Sequence, residues 1–233
     1  MRVLVFDLKG KIAHFRRPDT TTTHASYPFI SRTVLHGLLA SILGEERLLG
    51  ENRIGIQLLS EVKTVTQELS FLGKGWVGGG STFNRPTSIE LVANPYYRIY
   101  YAGDHLDKLS SMIEERRSTY HTYLGSAYCL TFPEFIDCYE GSLLETLSSS
   151  IMETVTVVPS HAIKKLSLKL GVQYGRVGGM QYEYLGERAF QGTINLIYEV
   201  SGKVLSFVPQ IQQKGDYPYQ FYKLPTDEAI CIW

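Results

Sequence analysis

The sequence predicts a mixed α/β fold in which strands predominate. Segments rich in β-branched and aromatic residues are separated by two stretches with the periodicity of a helix. The chain has 233 residues, of which 44% are hydrophobic and 20% charged, so it can bury a sizeable core. We therefore expect one elaborated globular domain.

The first elements are a strand, a polar loop and a helix. Residues 2–8 alternate apolar and polar side chains and lead into a turn, which predicts a strand. Residues 14–29 combine Arg, His, Thr and two prolines without periodicity, which predicts a long loop. Apolar residues then recur at helical spacing between Ser31, a suitable N-cap, and Gly44, a suitable end.

The middle of the chain predicts two strands, a glycine-rich hairpin between them and a second helix. Residues 54–68 and 89–101 have the composition of strands. The five closely spaced glycines of residues 71–88 disfavour regular structure, so this segment is predicted to be a flexible hairpin tip. Residues 104–116 place apolar side chains on one helical face, with Asp104 near the positive end of the helix dipole.

The second half of the chain predicts further strands. Short β-like runs cover residues 154–158, 193–200 and 204–208. The run GRVGGM, with Gly175, Gly178 and Gly179, lacks the spacing of a dinucleotide-binding motif and is predicted to be a mobile turn.

With a fourth strand, the order strand, helix, strand, strand, helix becomes the split β-α-β arrangement of ferredoxin-like, RRM-like domains. We predict such a domain at residues 1–125, with a projecting glycine-rich hairpin near residues 70–90. A β-rich part at residues 126–233 would complete or extend the sheet.

Composition excludes several classes of protein. Lys plus Arg and Asp plus Glu both number 23, so any nucleic-acid site must be local. The sequence has no secretion signal and no membrane-length apolar run, which predicts a cytoplasmic protein. Three cysteines without metal-type spacing give no support to a disulfide framework or a zinc site, and we predict no cofactor.

The first candidate site is a basic cluster near the N-terminus. Arg32, at the start of the first helix, would suit a phosphate contact because helix N-termini present free N–H groups. Polar loops of ferredoxin-like domains can also meet single-stranded RNA. A solvated basic turn is the alternative reading. The cluster consists of Lys9, Lys11, Arg16, Arg17 and Arg32.

The second candidate site is the glycine-rich hairpin, where cationic and aromatic residues alternate. Aromatic faces stack on bases and neighbouring cations meet phosphates. A tip that folds back on its own protein is the alternative. The candidate residues are Lys74, Trp76, Phe83, Asn84 and Arg85.

The third candidate site lies after the second helix, where Tyr120 and His121 follow two arginines. Histidine can act as a general base near neutral pH, but a base needs a positioned partner and the spacing indicates none. A structural, hydrogen-bonding His is the alternative.

The N-terminal run VFDLKGKIAHFRRPDTTTTHASYPFISRTVLHGLLASILG resembles the opening of CRISPR-associated family 5 proteins. A later run, YHTYLGSAYCLTFPEF, is similar to the family's Leu-Gly signature at Leu124 and Gly125. The matching N-terminal positions are Phe15, Arg16, Tyr27, Pro28, Thr33, Gly37, Leu38 and Gly44.

This resemblance implies a repeat-associated (RAMP-type) RNA-binding subunit of a type I surveillance complex, or Cascade, in antiviral defence. Such a subunit caps the 5′ handle of the guide RNA (crRNA), and its hairpin, the thumb, reaches toward the backbone subunit. Another face holds the large subunit, and target DNA is met only through the complex. Phe15 joins the candidate RNA contacts, and Gly37 would have a close-packing role. PYYRIYY and the later run look most like subtype I-B.

Members of subtype I-C cut precursor RNA with a Tyr, a Lys and a His. Here Asp104 precedes His105, and a carboxylate has the wrong sign for the developing charge. We therefore predict a non-catalytic subunit. The alternatives are a metal-independent endoribonuclease using His105 or His121 with Tyr120, and a protein-only scaffold that binds no RNA.

Overall fold

The computed structural model describes residues 1–20, 23–72, 84–145 and 150–233. The helices are α1 (Arg32–Leu43) and α2 (Leu106–Glu114). The strands are β1 (Arg2–Lys9), β2 (Ile12–Ala13), β3 (Asn52–Leu58), β4 (Thr64–Leu72), β5 (Asn84–Ala93), β6 (Tyr96–Gly103), β7 (Glu134–Glu140), β8 (Ser142–Leu143), β9 (Met152–Thr154), β10 (Val158–Pro159), β11 (Ile163–Leu166), β12 (Tyr174–Gly186), β13 (Ala189–Glu199), β14 (Leu205–Pro209), β15 (Gln220–Lys223) and β16 (Ala229–Ile232). The predicted mixed α/β class, with strands predominating, is confirmed.

Helix α1 begins and ends where its sequence predicts. The Ser31 side chain accepts a hydrogen bond from the Val34 backbone N–H, as an N-cap does. Gly44 ends the helix in the left-handed conformation, with φ of 78°. The close-packing role expected for Gly37 is wrong, because a Cβ at this position would meet no atom within 4 Å.

Four strands form an antiparallel sheet in the order β3-β6-β1-β7. Each of the two long strands predicted in the middle of the chain is divided: β3 is separate from β4, and β5 from β6. Strand β7 comes from the second predicted part of the chain and pairs with β1. The boundary at residue 125 stays a prediction.

Both faces of the sheet are buried at its strand β1. Leu4 and Phe6 of β1 point into the main core, which includes residues of α1 and α2. Val3 and Val5 point the other way, into a second cluster formed with residues of β15 and β16. Because both faces are covered, the buried part of β1 is almost continuously apolar.

Strands β4 and β5 pair along their full length, from Thr64 opposite Val92 to Leu72 opposite Asn84. They are the arms of the predicted hairpin, and β2 extends their sheet. Part of the predicted tip lies outside the described residues, and with it three candidate RNA contacts. These are Lys74, Trp76 and Phe83.

The remaining strands form three small sheets, in the orders β10-β13-β12, β11-β14-β9 and β16-β15-β8. The mobile turn predicted at GRVGGM is wrong, because this run belongs to β12 and pairs with β13. Gly178 and Gly179 lie at a register shift, where Asn195 Oδ1 accepts a hydrogen bond from the Gly179 N–H at 3.1 Å. No helix within the described ranges is long and apolar enough to cross a membrane.

Candidate nucleic-acid interface

The loop after β2 doubles back on itself, so that one side chain is buried while the next is exposed to solvent. The Phe15 N–H donates to Ser26 Oγ at 3.0 Å, and the Tyr27 N–H donates to the Phe15 carbonyl oxygen at 2.7 Å. These bonds hold Phe15 inside the core, 1% exposed, while the next residue, Arg16, is exposed. The expectation that Phe15 contacts RNA is therefore wrong in this fold.

Three aromatic side chains form a ladder along the β4–β5 hairpin, from His14 beside Glu90 to Phe71 opposite Arg85, near the outer end of the paired arms. The His14 and His24 rings are stacked, with centroids 6.2 Å apart and an interplanar angle of 16°. The Phe71 ring centroid lies 5.8 Å from that of His24, with the two rings tilted by 32°. His14 is fixed by a hydrogen bond between Nδ1 and the Glu90 carbonyl oxygen at 2.9 Å. Phe71 ends this ladder partly exposed.

Two arginines influence the ladder electrostatically. Burial lowers the pKa of His24, and the charges of Arg16, His14 and Arg85 lower it further. Arg16 and Arg85 come from separate predicted clusters, and the fold brings both close enough to His24 to influence it electrostatically. Both arginines are exposed, as is Asn84 beside Arg85. An exposed aromatic face can stack on a base while nearby cations bind phosphates.

The other basic residues of the first cluster are partly engaged by carboxylates. Arg17 donates two hydrogen bonds to Asp19, at 2.6 and 3.1 Å. Lys9 Nζ lies 2.6 Å from Glu134 Oε1. Lys11 is exposed and has no ion pair among the described residues. Such surface ion pairs are weak, so they leave Arg17 and Lys9 able to exchange partners.

The expectation that Arg32 contacts phosphate is wrong, because its side chain is buried and already bonded. Arg32 Nη1 donates to the Trp233 carbonyl oxygen and Nη2 to the Asn52 carbonyl oxygen, both at 2.8 Å. The guanidinium carbon lies 4.7 Å from the centre of the Tyr182 ring. Arg32 therefore joins parts of the fold, and its exposed fraction is only 8%.

The third cluster lies at the surface after α2. Tyr120 and His121 are exposed, and neither side chain has a hydrogen-bonding partner within the described part of the chain. His105 Nε2 lies 2.8 Å from the Leu49 carbonyl oxygen, which orients that ring toward the backbone. No group of three or more potential metal ligands occurs in the described ranges.

Sequence reasoning missed His24 and Phe71. His24 lies in the polar loop, and Phe71 was placed in the hairpin tip, although it belongs to β4. Their pairing depends on how the loop crosses the hairpin: the His24 N–H donates to the Ser88 carbonyl oxygen at 2.9 Å. No periodicity of either segment indicates that contact.

Comparisons with known proteins agree with this architecture. Residues 3–132 match the family described as CRISPR-associated protein (Cas_Cas5). A CRISPR protein from Archaeoglobus fulgidus has a similar structure, with a TM-score of 0.59 and 11% identity over 99% of each chain. A chain of a CRISPR RNA-guided surveillance complex has a TM-score of 0.54 and 13% identity, over 92% of this chain and 95% of that chain. No curated protein matches the sequence.

Proposed function

Because the chain belongs to the CRISPR-associated Cas5 family, we propose that it is a non-catalytic guide-RNA-binding subunit of a type I surveillance complex, or Cascade. Its family and its structural neighbours support a role in a CRISPR effector complex. In this proposal the protein acts in the cytoplasm, in antiviral defence, and caps the 5′ handle of the crRNA.

The single observation that carries the proposal is the ladder of His14, His24 and Phe71 with Arg16 and Arg85 beside it. Single-stranded RNA is bound by aromatic faces that stack on bases and by cations that follow the backbone. Phe71 is exposed and His24 half-buried, so these two rings supply the aromatic faces, while the buried His14 stacks beneath His24. Arg16 and Arg85 supply the cations, although the net charge of the whole chain is zero. A local site of this kind is what a neutral protein needs to bind RNA.

The sheet order supports the assignment of the domain to the ferredoxin-like class. Strands β1, β3, β6 and β7, with α1 and α2 between them in the chain, follow the order strand, helix, strand, strand, helix, strand once the β4–β5 hairpin is set apart. We propose that this hairpin is the thumb, reaching along the RNA toward the backbone subunit. The large subunit would occupy another face, and target DNA would be met only through the complex.

Membership of subtype I-B remains part of the proposal and rests on the resemblance of PYYRIYY and the segment around Leu124. The non-catalytic role is supported by the arrangement around one of the candidate bases, His105. His105 is oriented by a backbone carbonyl, and a cation beside it, Lys108, lies 3.7 Å from Glu45 Oε1. A base for RNA cleavage would need free access to a 2′-hydroxyl.

The proposal is tested by measuring the binding of the purified chain to single-stranded repeat RNA at several salt concentrations. We expect the chain to bind this RNA, with the logarithm of the association constant falling linearly as the logarithm of the salt concentration rises. The same RNA should remain uncut, and His105→Ala and His121→Ala should leave crRNA lengths in cells unchanged. Absence of binding would favour the protein-only scaffold, and cleavage lost in either variant would favour the endoribonuclease.

A further inference from the structure

A cavity of about 300 Å³ opens between the C-terminal ends of α1 and α2 and the segment that leads into β7. Ile42 of α1 and Ile113 of α2 are buried and form an apolar wall. Phe132 lines the cavity as well, and 71% of its surface is exposed. The volume lies at the lower end of the range for small-ligand sites.

The backbone around this cavity is held in place by hydrogen bonds to both helices. The Arg117 N–H donates to the Met112 carbonyl oxygen at 2.7 Å, and the Thr119 N–H donates to the Ile42 carbonyl oxygen at 3.0 Å. The carbonyl oxygen of Thr122, another lining residue, accepts a hydrogen bond from the Thr131 N–H at 3.1 Å. The cavity is therefore formed before any ligand binds, which lowers the entropic cost of binding.

The charged residues that line the cavity leave one positive charge without a partner. Arg117 Nε lies 2.6 Å from Glu115 Oε2, and Glu134 is paired with Lys9 at 2.6 Å. Among the charged lining residues, all of which are described, Arg116 alone has no ion pair. A ligand that complements this site combines a flat apolar group with one negative charge.

We infer that the cavity receives a single nucleotide splayed out of the bound single-stranded RNA. Its base would lie against Phe132 and the isoleucine wall, and its phosphate would pair with Arg116, since aromatic rings and arginines bind unstacked nucleotides in this way. An acidic peptide would satisfy Arg116 and leave the aromatic face uncovered. This inference rests on the proposed function and extends it to a second surface.

The segment from Lys9 to His14 connects the cavity with the ladder. At one end, Thr131 Oγ1 donates to the Lys9 carbonyl oxygen at 2.9 Å. At the other end, the His14 N–H donates to the Leu124 carbonyl oxygen at 3.1 Å. Lys11, exposed between the two ends, offers a cation to the backbone of an RNA strand that passes from one site to the other.

The test uses the full chain and a short fluorescein-labelled single-stranded RNA of mixed sequence. Phe132→Ala and Arg116→Ala are compared with Phe190→Ala and Arg176→Ala, which change exposed residues of the same types in β13 and β12. We expect each cavity variant to weaken RNA binding about fivefold or more, and each matched control to leave it unchanged. Ultraviolet crosslinking followed by mass spectrometry should identify an RNA adduct on the peptide that contains Phe132.

The two proposals fail in different ways. If the wild-type chain binds RNA, and both cavity variants bind it equally well without an adduct on that peptide, the nucleotide site is wrong while the proposed function stands. The nucleotide site would also be wrong if a polyglutamate peptide displaced the RNA from the wild-type chain as effectively as unlabelled RNA does, and Arg116→Ala abolished that displacement. The site would then recognise charge alone. If the wild-type chain binds no RNA, both the proposed function and the nucleotide site are wrong.

Discussion

Arg32 Nη1 donates a hydrogen bond to the backbone carbonyl oxygen of Trp233 at 2.8 Å, although 201 residues separate them in the chain. The same guanidinium bonds to the Asn52 carbonyl oxygen. These two bonds connect the start of α1 with β3 and with the segment after β16. A residue that looks like an exposed phosphate contact in the sequence is therefore part of the fold.

We predict that Arg32→Ala destabilises the protein by about 2 kcal/mol or more, because two backbone carbonyl oxygens each lose a charged donor. The Trp233 oxygen then keeps only the Ile54 N–H. Urea denaturation measures this change. Arg176→Ala, at an exposed position of β12, is the matched control and should be nearly neutral. The folded fraction of Arg32→Ala should keep the salt dependence of RNA binding. If RNA binding by this variant depended less on salt than binding by the wild type, Arg32 would be a phosphate contact after all.

We predict that Arg16→Ala combined with Arg85→Ala weakens RNA binding and makes it less sensitive to salt. Each lost phosphate contact should reduce the slope of log affinity against log salt by roughly 0.7 for a single strand. Fluorescence anisotropy at several salt concentrations measures the slope. Because both side chains are exposed, thermal stability should change little. An unaltered slope would remove these arginines from the interface.

We predict that Phe71→Ala weakens RNA binding by about 1 to 3 kcal/mol, the usual range for a lost stacking contact. Phe190→Ala is the control, since Phe190 is exposed to a similar degree and lies on β13. Both variants should remain folded by circular dichroism. Equal affinities for the two variants would show that the ladder does not stack on bases.

Stability should fall at acidic pH in a way that depends on His36. Burial, with a smaller effect from Arg32, lowers the pKa of His36 to about 3, against about 6.5 in an unfolded chain. Between these values the unfolded chain takes up a proton that the folded protein does not, so a falling pH favours unfolding. We expect His36→Gln to lose less stability than the wild type between about pH 7 and about pH 5. His121→Gln, at an exposed position, should behave like the wild type in these urea titrations.

We predict that Gly37→Ala stabilises the isolated protein by up to about 1 kcal/mol, because Ala favours helix and the new methyl group would meet open space. Gly44→Ala is the contrasting variant. Its Cβ would lie 2.8 Å from Thr119 Cγ2 at a left-handed position, so that variant should be destabilised. A lower melting temperature for Gly37→Ala would mean that the fold of the isolated chain itself requires glycine at this position of α1.

Helix α1 illustrates what the sequence alone determined. Its cap at Ser31 and its end at Gly44 depend on residues within a few positions of each other, and the structure has both. The mixed α/β class and the strand arms of the hairpin also follow from local composition. The family resemblance covers much the same part of the chain, where residues 3–132 match the family.

Only the tertiary structure decided which side chains of the basic clusters are free to bind. Arg16 and Arg32 look alike in the sequence, yet one is exposed and the other is buried against the carbonyl oxygen of Trp233. The ladder likewise joins His14, His24 and Phe71 from separate segments. Periodicity and capping report interactions between near neighbours in the chain, whereas burial and stacking depend on contacts that form only when distant segments pack together.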